Sequence, residues 1–166
     1  MRSRRVAAVI LIVVGAVVLQ TTFFGRIRLI TPDLVLLVSV LLALTRIKPE
    51  IVLATAFTSG VVVDLLGSSL LGLRAIVFTS AAYVALRTRE RADIGRIATA
   101  IWAGLVTLIG VLLLVLVGTL FGQSSILGEH VFSRLLTVPL ANMLIAFLIA
   151  PLLVRVVDQD PAALRY

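Results

Sequence analysis

Residues 97–128 pass without a charged side chain, 32 consecutive positions. A helix needs about 20 predominantly apolar residues to cross roughly 30 Å of hydrocarbon, so this one run already commits the chain to lipid as its solvent. Comparable runs recur along the sequence, and 61% hydrophobic against 14% charged content leaves almost no polar face for water. The reading is an all-α integral membrane protein, one polytopic domain over residues 1–166, with six transmembrane helices at about 6–25, 32–45, 49–66, 71–86, 94–121 and 131–156.

Local signals set these bounds. Arg2, Arg4 and Arg5 precede the first run, and no small-x-small cleavage site follows Leu19, so the segment reads as a retained helix and not a cleaved signal. Thr31 is placed to cap the second helix, with Pro32 at its first helical position and Asp33 near its positive end. That span is short, so Arg46 and Lys48 are expected to snorkel. Pro49 opens the third helix, and Gly67 is expected to stop it in a left-handed conformation. Gly118 and Gly122 form a GxxxG pair that reads equally as a helix terminus or a packing face. Pro139 and Asn142 predict a kink with an amide beside the freed backbone groups.

Alternating the segments between two sides places eleven of the fifteen Lys and Arg residues on the side of both termini. By the positive-inside bias both termini are cytoplasmic, and Asp64 and Arg74 face outward. The basic residues are scattered between apolar runs and form no solvated patch with exposed aromatics, which argues against nucleic acid as partner. Membrane lipid is the expected neighbour, and the loop from Arg87 to Arg96 suits anionic headgroups or a cytoplasmic partner.

The chain is poorly equipped for chemistry. There is no cysteine, and its single histidine, His130, sits beside Glu129 among ordinary loop serines Ser124, Ser125 and Ser133. Neighbours in sequence do not form a nucleophile relay. No metal-ligand cluster and no phosphate-cradling Gly-rich loop is present, so neither metal nor cofactor is expected, and the chain reads as a non-enzyme.

Residues 60–74 carry the informative exception, one acid and one base in an otherwise lipid-compatible run. A charged side chain at the bilayer centre costs about 2.5–3.5 kcal/mol on insertion scales, and less near an interface, so Asp64 and Arg74 need compensation. Ala56, Gly60 and Asp64 recur at i, i+4 and i+8, placing two small residues on the face of the acid, where another backbone can approach. Asp64 is open to three readings: a clasp to Arg74 or to the loop backbone, a ligand or proton site, or a direct contact with a partner.

The stretch from Thr31 to Leu86 resembles the rod shape-determining MreD family of bacterial inner-membrane proteins. The resemblance rests on Pro32-Asp-Leu-Val-Leu-Leu, on Gly60-x-x-x-Asp64-Leu-Leu followed by Gly67, and on Leu71-Gly72-Leu73-Arg74 before an apolar span with Ala81-Ala82-Tyr83. It implies a non-enzymatic, multi-pass component of the wall-elongation machinery in the inner membrane, involved in cell shape and peptidoglycan synthesis. The implied partners are a bitopic MreC-like protein, an MreB-like filament, and the glycosyltransferase and transpeptidase of wall synthesis. Pro32, Ala56, Gly60, Asp64, Gly67, Gly72 and Arg74 are then the structural or partner-binding positions. An alternative of similar size and topology is a substrate-binding subunit of an energy-coupling vitamin transporter, with Asp64, Arg74 and Asn142 lining an outward pocket.

Overall fold

The computed structural model describes residues 2–22, 32–67, 70–91, 95–123 and 131–158. Among these it contains six α-helices: α1 Arg2–Thr22, α2 Leu34–Leu41, α3 Pro49–Leu66, α4 Leu73–Thr88, α5 Arg96–Leu120 and α6 Val131–Asp158. Three of them, α3, α5 and α6, are long and apolar enough to cross a membrane. Short 3₁₀ turns at Leu42–Leu44 and Arg89–Arg91 follow α2 and α4.

Helix α2 organises the rest. Its sequence, Leu-Val-Leu-Leu-Val-Ser-Val-Leu, is apolar on every side, and every one of its residues is buried. A helix apolar all round belongs inside. It packs against the five other helices, while α3, α4, α5, α6 and α1 follow one another around it, each against the next. Enclosure explains why α2 has only 8 residues where the sequence suggested a span of 32–45: a helix sheathed by protein need not match the hydrocarbon thickness by itself.

Side chains hold the start of α2 and the chain just beyond its 3₁₀ turn, as buried backbone amides require where no water is at hand. The helix begins at Leu34, not at Pro32. Asp33 is the N-cap, its Oδ1 accepting from the Leu36 amide at 3.0 Å, and Gln20 of α1 accepts from the Val35 amide at 3.1 Å. Pro32 therefore lies outside the helix, buried just before the cap, and the capping role expected of Thr31 falls outside the described residues. At the other end, the Asp158 carboxylate closing α6 accepts from the Arg46 amide at 2.9 and 3.2 Å.

The remaining termini follow local chemistry. Pro49 is the first residue of α3 after Lys48, as the sequence suggested. Gly67 does not take the left-handed conformation: with φ −99° and ψ −178° it is extended. The left-handed residue is Gly72 at φ 91°, which opens α4. The Gly118/Gly122 pair is a terminus, because the Gly122 amide bonds to the Thr119 carbonyl and the Gln123 amide to the Gly118 carbonyl, with Gly122 at φ 75°. Helix α6 contains Pro151 as well as Pro139.

Trp102, the chain's single tryptophan, donates from Nε1 to Thr88 Oγ1 at 2.9 Å and ties the start of α5 to the end of α4. Replacing Thr88 by valine leaves a buried indole N–H without its acceptor. The expected cost is about 1–3 kcal/mol, read as a lower thermal midpoint together with a shift in the emission of the lone indole.

Candidate functional site

The site grows from the last turn of α3. Asp64 is 3% exposed and its Oδ2 accepts two backbone amides across the turn, from Gly72 at 2.9 Å and from Arg74 at 3.0 Å. Helix α4 needs this. Its N-cap is Gly72, which has no side chain to cap with, and Asp64 supplies from the neighbouring helix the acceptor that a Ser or Asp would supply locally. The carboxylate also lies at the positive end of α4, where a negative charge is favoured.

Arg74 extends the arrangement to α2. Its Nε lies 3.9 Å from Asp64 Oδ1 and its Nη1 lies 3.4 Å from Asp33 Oδ2. Asp33 thus caps α2 with one carboxylate oxygen and meets Arg74 with the other. Its backbone carbonyl accepts from Asn142 Nδ2 of α6 at 3.1 Å, and the same nitrogen lies 3.4 Å from Thr107 Oγ1 of α5. One polar network therefore links α2, α3, α4, α5 and α6 inside an apolar bundle. Asn142 is fully buried, and its Oδ1 is the buried side-chain oxygen without a hydrogen-bond partner among the described residues.

The small-residue face meets α4 of the same chain. Ala56 and Gly60 are buried, and a Cβ on Gly60 would lie 2.5 Å from Ala75 Cα and 2.7 Å from the Arg74 carbonyl carbon. The close backbone approach anticipated for this face is thus taken up internally, beside the Asp64 clasp. Surfaces open to other molecules lie elsewhere, among them Leu65, Leu66, Leu70 and Leu71, which are exposed around the turn.

Of the residues singled out in sequence, Asp64, Gly72 and Arg74 meet directly, and Gly60 lies against the Arg74 backbone. Pro32 adjoins the network through Asp33, whereas Gly67 is exposed and its amide bonds back to the Val63 carbonyl. Asn142 joins the network as a buried member, not as the wall of an open pocket. Asp33 and Thr107 were not singled out as site residues. Asp33 was within reach, because the alternation of spans puts the start of α2 on the same side as the end of α3 and the start of α4. His130, Glu129, Ser124 and Ser125 lie outside the described residues. Among the described residues no three His, Cys, Asp or Glu side chains converge as a metal site.

Two carboxylates, one guanidinium and an amide so arranged hold helices at fixed spacing and angle. The comparison with protein families agrees with the resemblance carried by this region. The family model described as rod shape-determining protein MreD matches residues 2–158, nearly the whole chain. No curated protein and no solved structure gives a significant match. By this match, and with three helices long and apolar enough to cross a membrane, the chain belongs to the MreD family of rod shape-determining proteins.

Proposed function

We propose that the protein is a non-enzymatic scaffold of the bacterial inner membrane, crossing it six times with both termini cytoplasmic, and that it docks an MreC-like bitopic partner within the wall-elongation machinery. Family membership implies a role in rod shape determination; the scaffold, its topology and its partners are our reading. The observation that carries it is the Asp33–Arg74–Asp64 network, whose charged groups hold helices to one another. Such a network fixes the shape of the outer turn on which a partner would rest. The crossing of the segment from Asp33 to Arg46, which contains α2 and its 3₁₀ turn, is supported by its ties to α6: Asn142 bonds the Asp33 carbonyl and Asp158 the Arg46 amide, about 24 Å apart along an ideal helix.

The docking surface in this reading is the apolar rim of the clasp, where Leu66 and Leu71 are 62% and 69% exposed. Their replacement by alanine together leaves the bundle interior untouched. The expected result is at least a fivefold loss of copurification with a coexpressed MreC-like protein at unchanged thermal midpoint. Undiminished copurification would move the docking surface off this turn. The alternative, a vitamin-transporter subunit, needs an outward pocket at Asp64, Arg74 and Asn142, and a copurifying vitamin and ATPase would favour it.

A further inference from the structure

A cavity of about 570 Å³ opens at the opposite end of the bundle from the clasp. Its lining carries Arg46, Lys48, Arg89 and Arg96 and, among the described residues, one acid, Glu90, with the Asp158 carboxylate close by on the Arg46 amide. Two helix N-termini also line it: α3 begins there after Lys48 and α5 after Gly95, and neither has a side-chain cap. Their positive ends add to the field of the four cations.

The other wall is apolar. Phe147, Pro151 and Val154 of α6 recur at i, i+4 and i+7, forming a stripe about 10 Å long, over a floor made by Ala146 and Ala150. Three membrane-length helices have their ends here, so the cavity lies at the level where hydrocarbon meets headgroups, with the stripe leading inward.

We propose that this cavity binds an anionic glycerophospholipid, its phosphate among Arg46, Lys48, Arg89 and Arg96 and one acyl chain along the α6 stripe. Charge selects the headgroup and the stripe selects a tail, which a free anion or a hydrated acidic peptide lacks. Basic pockets between helices at this level suit such headgroups. The assignment does not depend on the scaffold reading or on any partner protein.

The test uses the full chain in non-ionic detergent, with phosphatidylglycerol and phosphatidylcholine of identical chains, read by native mass spectrometry. One phosphatidylglycerol is expected to be retained at least tenfold more tightly than phosphatidylcholine. The paired substitutions R89E and R96E should lower that retention about 30-fold, and R89K with R96K should restore most of it. Inorganic phosphate or polyglutamate at the same concentration should not displace the lipid. Equal retention of the two lipids, or unchanged retention in the charge-reversed protein, would overturn the proposal; displacement by phosphate would make the site one for a free anion, and by polyglutamate one for an acidic protein segment. Should the charge-reversed chain not fold, the unaltered one still decides. Trp102 lies one helical turn from Thr99 of the cavity wall, so brominated phosphatidylglycerol should quench it more than brominated phosphatidylcholine, and equal quenching would overturn the site.

Discussion

Asp64→Ala is expected to destabilise the protein by about 3–5 kcal/mol, the summed cost of leaving two helix-start amides without their buried acceptor and of losing a negative charge at the start of α4. The substitution strips the acceptor from the Gly72 and Arg74 amides at once and leaves Arg74 with Asp33 as its carboxylate. Asp64→Asn separates the two parts of that loss. Both amides bond to a single oxygen, Oδ2, and an asparagine oxygen in its place can accept both. Its NH₂ would then face the Arg74 Nε, donor against donor, and the charge at the start of α4 would be gone. A loss of about 1–2 kcal/mol is expected for the amide. Thermal midpoints in detergent should therefore fall in the order unaltered protein, asparagine, alanine; an alanine variant as stable as the unaltered chain would remove the clasp from the account.

The second large effect concerns Gly60. Even one added carbon there would lie 2.5 Å from Ala75 Cα, and the obstacle is backbone, which cannot rotate aside. Overpacking usually costs about 1–3 kcal/mol where side chains can shift, so Gly60→Ala should reach the top of that range and Gly60→Leu should yield no monodisperse protein. Gly15 supplies the control. A Cβ at that position of α1 meets nothing within 4 Å, and Gly15→Ala should stabilise the helix by roughly 0.5–1 kcal/mol. A Gly60→Ala protein as stable as the Gly15→Ala protein would mean that α3 and α4 do not approach so closely.

The sequence carries the helices well where one residue decides a boundary. Pro49 starts α3, and the uncharged run beginning at Ile97 becomes one helix, α5, because a proline at a first turn and a long apolar run each have few alternatives. Spacing alone identifies a face without identifying what covers it. Ala56, Gly60 and Asp64 mark a close approach in sequence, yet only the folded chain shows α4 occupying it. The alternation of spans puts Asp33 on the side of Arg74, but only the fold shows its contacts with Arg74 and Asn142, 41 and 109 residues away. The left-handed glycine was misplaced for a different reason: Gly67 and Gly72 flank one short turn, and which bends is set by the reach of Asp64 to the amides beyond it.

That reach also orders events during synthesis. The Asp64 clasp closes over 8 and 10 residues, so α3 and α4 can pair as a hairpin, their most polar contact made, before the rest of the chain is synthesised. The tie from α6 to the start of α2 must wait. Asn142 emerges 109 residues after Asp33, on the order of 5–20 s later at ordinary elongation rates. During that interval the innermost helix is without the last helix to be made, and its apolar surface needs other cover until α6 supplies it.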